Sequence, residues 1–123
     1  MIEILHVTKT FGGAKRALDD LTLTVPQGAV YGLAGSNGAG KSTAIRHAAG
    51  IYRPDAGSVC VGGLPVYEAP AVKSRIGYIP DDLGVFGSGT IRELAAFFRA
   101  MYPRFDSKRY EALRDVFRLD EAT

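Results

Sequence analysis

The sequence has one cysteine, no tryptophan, no long apolar run and no block of charge of a single sign. A lone thiol excludes an internal disulfide, so Cys60 indicates no oxidising compartment. No window approaches the roughly 18 apolar residues of a membrane span, and the N-terminus lacks the pattern of a signal peptide. The 15 basic residues are interleaved with 13 acidic ones, so charge alone favours neither nucleic acid nor anionic lipid as a partner. We therefore expect a chain that is soluble and cytoplasmic by itself.

What remains is the composition of an ordinary folded protein. Of 123 residues, 46% are hydrophobic and 23% are charged, which excludes a disordered or collagen-like chain. A chain of this length buries about two thirds of the surface that its unfolded form exposes. The sequence therefore predicts one domain, or a piece of one.

Short strands alternate with helical segments along the chain, which predicts an α/β fold. The first strands are half-buried and flank a turn-rich connection, as in an antiparallel sheet, whereas "AVYGLA" is apolar throughout, as in a parallel sheet covered on both faces. Strands are predicted at 2–7, 21–25, 29–34, 58–61 and 75–79. A helix is predicted from Lys41 to about Ala49, with Gly50 closing it in a left-handed conformation.

The pattern becomes helical near residue 90. Thr90 and Glu93 form a capping box ahead of apolar residues at helical spacing, and Pro103 ends that run. A second helix is predicted after Asp106. This change divides the chain into 1–89 and 90–123.

The stretch "GSNGAGKST" satisfies the P-loop (Walker A) pattern, between an apolar strand and a helix, which is the context that the pattern requires. Backbone N–H groups at a helix N-terminus, together with the helix dipole, attract the charges of a triphosphate. Within the loop, Lys41 adds a charge at the β- and γ-phosphates, Ser42 offers a hydroxyl to Mg²⁺, and Thr43 donates near the α-phosphate. The predicted nucleotide-binding residues of the loop are Gly35, Ser36, Asn37, Gly38, Ala39, Gly40, Lys41, Ser42 and Thr43.

Together with the loop, separated segments over most of the chain resemble the nucleotide-binding domain of ABC transporters; they are "LHVTKTFGG", "LTLTVPQGAVYGLAGSNGAGKST", "RPDAGSVCVGG" and "RIGYIPDD". The resemblance implies an ABC-type P-loop NTPase core with an N-terminal antiparallel β part over 1–89, and the start of a helical subdomain over 90–123. It implies ATP and Mg²⁺ as cofactors, and ATP hydrolysis that powers transport. The implied partners are transmembrane permease subunits and a second nucleotide-binding domain, with no nucleic acid, on the inner face of the cell membrane.

Two positions outside the loop take implied roles from the resemblance. Phe11 stands where the family has an aromatic residue that stacks on adenine; the alternative is a core phenylalanine beside a turn. Asp81 stands where the family has a glutamine that reaches toward Mg²⁺ and the attacking water. Because a carboxylate is a hard oxygen ligand for Mg²⁺, Asp81 is either a catalytic, metal-side residue or a solvated turn acid. For its neighbour Asp82 the solvated interpretation is favoured.

The hydrolytic motifs of the resembled family are missing from this sequence. After residue 90 there is no LSGGQ-like signature, no run of four aliphatic residues ending in Asp-Glu, and no later switch histidine. We therefore expect a truncated domain that binds ATP and hardly hydrolyses it, with an exposed sheet edge at 29–34 because its parallel neighbours come from downstream sequence in the family. Two alternatives stay open: a soluble ABC ATPase acting on ribosomes or DNA, and a non-hydrolytic nucleotide-binding remnant.

Other residues give weaker signals. "DDLG" at 81–84 fits the loose DxxG pattern of GTPases, but the sequence has no Asn-Lys-x-Asp stretch to recognise guanine. His6 and His47 have no nucleophile at a spacing that suggests catalysis, so we expect packing or surface histidines.

Overall fold

A computed structural model describes residues 1–82, 89–120 and 122 of the chain. It forms two compact units, Met1–Ile79 (unit 1) and Pro80–Thr123 (unit 2). Unit 1 is built from β1 (Ile2–Thr10), β2 (Arg16–Val25), α1 (Lys41–Ala48), β3 (Ala56–Val61), β4 (Leu64–Pro65) and α2 (Pro70–Lys73). Unit 2 contains α3 (Ile91–Met101) and α4 (Ser107–Phe117). The last two residues of the DDLG stretch lie outside the described residues, and the division at residue 90 stays a prediction.

The strands of unit 1 form one antiparallel sheet in the order β2-β1-β3-β4. Ile4 of β1 lies between Leu23 of β2 and Val59 of β3. Because side chains alternate across a sheet, one face carries the apolar set toward α1 and the segments after β4. The buried core consists of Ile4, Val7, Leu18, Ala44, Val59, Val66 and Val72. This confirms the antiparallel β part.

The first two strands are longer than their apolar patterns predict. β1 continues to Thr10 and β2 begins at Arg16, so only residues 11–15 remain as a connection. The added ends of the two strands can carry charged residues because the outward face of an antiparallel sheet is solvated. The ladder bulges near His6 and Asp20, whose φ angles of 52° and 50° are left-handed.

The strands predicted at 29–34 and 75–79 are wrong for this structure. Neither segment forms a β-ladder with any described strand. Val30 is fully exposed, and Ile79 is 87% exposed. A strand is held by the N–H and C=O groups of its neighbours, and strand propensity alone does not replace them. The segment 29–34 is therefore exposed backbone rather than the edge of a sheet.

The helix ends follow the local predictions. α1 closes through Gly50, whose φ is 74°, with Ile51 N–H donating to Arg46 O (2.9 Å) and Gly50 N–H donating to His47 O (3.0 Å). These two bonds are a Schellman motif. In unit 2, α3 and α4 begin after side-chain caps, and within the described part of the chain no helix is long and apolar enough to cross a bilayer.

Candidate functional site

Two glycines turn the loop 35–43 into the N-terminus of α1. Gly38 and Gly40 have φ angles of 85° and 94°, and between them Ala39 N–H donates to Ser36 O at 3.1 Å. Left-handed backbone of this kind costs other residues about 1–2 kcal/mol, which is why glycine occupies both positions. The glycine spacing of the P-loop pattern therefore has a direct conformational cause.

Gly40 also brings the loop against β2. A Cβ atom placed on Gly40 would lie 2.6 Å from Ala17 O and 3.0 Å from Leu18 Cδ2. Real Cβ atoms do not approach a carbonyl oxygen that closely, so only glycine allows this contact. The loop therefore lies between β2, which it contacts, and α1, which follows it in the chain.

The N-terminus of α1 presents backbone donors. Its first helical hydrogen bond runs from Ala44 N–H to Gly40 O (2.8 Å), so the amides of Lys41, Ser42 and Thr43 have no acceptor within the helix. No side chain caps this end, and no acidic residue lies in its first turn. The positive end of the helix dipole and these amides form a site for an anion.

The Lys41 ammonium group lies over the same loop. It donates hydrogen bonds to Gly35 O and to Ser36 O, the second at 3.1 Å. No carboxylate in the described ranges 1–82 and 89–120 forms a salt bridge with it. Its charge is therefore not neutralised by a described carboxylate, and its contact with the phosphates stays a prediction.

A cleft of about 390 Å³ opens at the loop, a volume typical of small-molecule sites. Most of the predicted loop residues line it: Ser36, Asn37, Gly38, Gly40, Lys41, Ser42 and Thr43. Lys15, Arg16 and Ala17 line it as well, and sequence analysis missed all three. No sequence signal identifies them, because their place over the loop depends on the pairing of β1 with β2.

The hydroxyl group of Ser42 is a suitable oxygen donor for Mg²⁺ at this cleft. The described residues contain no group of three or more His, Cys, Asp or Glu side chains that would hold a metal ion by themselves. Mg²⁺ bound with a nucleotide takes one or two protein ligands, phosphate oxygens and water, so a single hydroxyl fits this mode of binding.

The structure does not place Phe11 in the lining of the cleft. The ring lies at the end of β1, is 46% exposed, and packs edge-on against Tyr52 at 5.0 Å between centroids. Asp81 is exposed and belongs to unit 2. The adenine contact of Phe11 and the metal-side role of Asp81 stay predictions.

Both histidines are the packing and surface residues that the sequence predicts. His47 is completely buried in α1; its Nδ1–H donates to Thr43 O (2.7 Å), and its ring packs against Tyr52 at 5.6 Å. His6 is exposed, and its Nδ1 lies 2.8 Å from Asp20 Oδ1. Neither residue contributes to the lining of the cleft.

Comparison with known proteins assigns the family. The family model described as "ABC transporter" matches residues 18–123. The ABC transporter ATP-binding protein YtrB of Bacillus subtilis (strain 168) is 31% identical over 98% of this chain and 41% of its own length. The ribose import ATP-binding protein RbsA of Pseudomonas putida is 55% identical over 63% of this chain and 15% of its own length.

Solved structures show the same fold. An ATP-binding subunit of an ABC transporter superposes with a TM-score of 0.72 at 28% identity, over 90% of this chain and 46% of that one. A putative ABC transporter ATP-binding protein from Pyrococcus furiosus gives a TM-score of 0.76 at 24% identity, over 98% and 58%, and supports the fold alone. The chain thus spans between 15% and 58% of the length of these relatives, and its fold is part of an α/β ABC ATPase domain, as predicted. The chain belongs to the ABC transporter family.

Proposed function

We propose that this chain is the nucleotide-binding part of the ATP-binding subunit of an ABC transporter, and that the loop 35–43 binds the triphosphate of Mg-ATP. The observation that carries the proposal is the pair of left-handed glycines, Gly38 and Gly40, which lead into an uncapped helix N-terminus whose first residues, 41–43, line one cleft. A polyphosphate chain is the ligand that uses several converging donors together with a cation.

Each group of the cleft has a distinct role in this proposal. The amides of residues 41–43 hold phosphate oxygens at the positive end of α1. Lys41 exchanges the carbonyls of Gly35 and Ser36 for the β- and γ-phosphates. Ser42 is the protein ligand of Mg²⁺, which, when bound, neutralises phosphate charge.

The partners follow from the named relatives. One of them, RbsA of Pseudomonas putida, is a ribose import ATP-binding protein, and we propose that this chain likewise acts with transmembrane permease subunits, on the inner face of the membrane. We further propose a second nucleotide-binding domain as a partner, as the family resemblance implies. Because the sequence lacks the signature and the Asp-Glu strand, we propose that this chain by itself binds ATP without appreciable hydrolysis.

A titration of the chain with Mg-ATP tests the proposal. Lys41→Ala should weaken binding roughly ten- to hundredfold, because a hydrogen bond to a charged group contributes about 1.5–3 kcal/mol. Lys108→Ala removes the same charge from an exposed position on α4 and should leave the affinity unchanged. Equal affinities of the Lys41→Ala variant and the unaltered chain would refute the role of the loop.

A further inference from the structure

The turn at 53–55 is tied to the end of β1 by polar contacts. The Asp55 carboxylate accepts hydrogen bonds from Thr10 N–H (2.8 Å) and from Lys9 Nζ (3.3 Å). In the same turn, Asp55 N–H donates to Thr8 O (2.9 Å), and Lys9 Nζ donates to Arg53 O (2.8 Å). Three successive residues, 8–10, are therefore held immediately before Phe11.

Lys9 of β1 and Tyr52, the residue before the turn, hold the ring of Phe11. The Lys9 ammonium group lies over the ring, 5.3 Å from its centroid, and Tyr52 contacts it edge-on at 5.0 Å with an interplanar angle of 65°. Contacts of both kinds have preferred geometries, so each restrains the orientation of the ring. Phe11 as a whole residue still remains 46% exposed to solvent.

Asp55 is the acidic partner that keeps Lys9 in this place. The Lys9 side chain is only 16% exposed, and a charge so far removed from water needs a partner. The hydrogen bond from Thr10 N–H and then that from Lys9 hold the pKa of the Asp55 carboxyl below its ordinary value, so the carboxylate is ionised at neutral pH. Without it, the Thr10 amide would need a new acceptor, and the Lys9 ammonium would keep only the carbonyl of Arg53 and lose its charged partner.

The turn itself is fixed against the sheet by Gly57. A Cβ atom on Gly57, whose φ is 83°, would lie 2.3 Å from His6 O and 2.4 Å from Leu5 O. The backbone of β3 therefore contacts that of β1 directly, two residues after Asp55.

We infer that Asp55 is a positioning residue for the nucleotide base: it fixes the end of β1 and Lys9 so that Phe11 presents its ring to adenine. The inference rests on the proposed ATP-binding function and extends it to the residues that support the base. The loop 35–43 contacts β2 at Ala17 and Leu18, and the lining of its cleft includes no residue of the turn at 53–55. Loss of Asp55 should therefore affect recognition of the base and spare binding of the phosphates.

Titrations with two ligands, Mg-ATP and inorganic magnesium tripolyphosphate, separate these contributions. Phe11→Ala should weaken ATP binding roughly three- to tenfold, the range of an aromatic contact. Asp55→Ala should weaken it by a similar factor. Adding Asp55→Ala to Phe11→Ala should cause little further loss, because two residues that act through one contact are not additive. Affinity for tripolyphosphate should stay the same in all three variants.

Two further variants complete the test. Asp55→Asn keeps an acceptor for Thr10 N–H and removes the charge beside Lys9, so it should also weaken ATP selectively; it decides the question should Asp55→Ala fail to fold. Asp115→Ala, which removes an exposed carboxylate from α4, is the matched control and should change neither affinity.

Several outcomes would overturn the inference. They are an unchanged ATP affinity in both Asp55 variants, an equal loss for ATP and tripolyphosphate, and a full additional loss in the Phe11→Ala background. Failure of the proposed function is distinguishable, because then the unaltered chain would bind neither ligand or Lys41→Ala would bind both normally. If the unaltered chain binds tripolyphosphate as tightly as ATP, phosphate binding stands and the role of the base is refuted.

Discussion

Replacement of Gly40 by alanine tests whether the phosphate loop depends on close contact with β2. The added Cβ atom would lie 2.6 Å from Ala17 O and 3.0 Å from Leu18 Cδ2, so either the loop or the strand must move. Gly38 provides a matched substitution in the same loop. Its φ of 85° is also left-handed, but a Cβ atom there meets nothing within 4 Å.

The two substitutions should therefore differ in free energy of unfolding. Both place alanine in left-handed backbone, which costs about 1–2 kcal/mol. Gly40→Ala adds overpacking against the backbone of β2, which costs about another 1–3 kcal/mol. For Gly38→Ala we expect the conformational cost alone.

Urea unfolding of the unaltered chain and both variants, followed by far-UV circular dichroism and tyrosine fluorescence, measures this difference; the chain has six tyrosines and no tryptophan. A Mg-ATP titration of each variant measures the effect on the loop, and we expect weaker binding by Gly40→Ala than by Gly38→Ala. Equal unfolding midpoints for the two variants would refute the contact between the loop and β2.

Two further predictions concern the N-terminal cap of α3 and the rate of ATP hydrolysis. Thr90→Ala removes the hydroxyl that accepts a hydrogen bond from Glu93 N–H (3.2 Å) and should lower the free energy of unfolding in urea by about 1 kcal/mol. Thr90→Ser keeps the hydroxyl and should behave as the unaltered chain. An equal loss in both variants would contradict the capping role. Phosphate release from Mg-ATP by this chain should stay far below the rate of about one per second typical of enzymes, and a rate at that level would show that the missing motifs are not needed.

Features that depend on near neighbours in sequence were predictable. The capping box of Thr90 and Glu93, the left-handed Gly50 and the glycine loop each depend on hydrogen bonds over a few residues. Residue type then determines the conformation directly, because an N-cap needs a side chain that accepts a hydrogen bond and a left-handed φ favours glycine. The short spacing of these patterns is the reason they could be recognised in one sequence.

Features that depend on pairing between distant segments were not predictable. The apolar pattern at 29–34 indicates a preference for β-strand, but the structure shows no partner strand for this segment among the described residues. Lys15 and Arg16 reach the cleft because Thr10 pairs with Arg16 across the hairpin, a register that apolar periodicity does not give. The contact of Phe11 with Tyr52 similarly joins residues that are far apart in the sequence.

The phosphate-binding half of the site does not depend on the unpaired segments. The first turn of α1 is held by its own packing. Ala44 and His47 are buried, and the His47 ring donates to the carbonyl of Thr43, a residue that lines the cleft. β2 supports the other side of the loop at Ala17 and Leu18. Every group proposed to hold phosphate is thus fixed by antiparallel strands and one helix. It follows that phosphate binding and hydrolysis should separate in this chain, because the first needs only unit 1 and the second needs acidic and signature residues that the sequence does not contain.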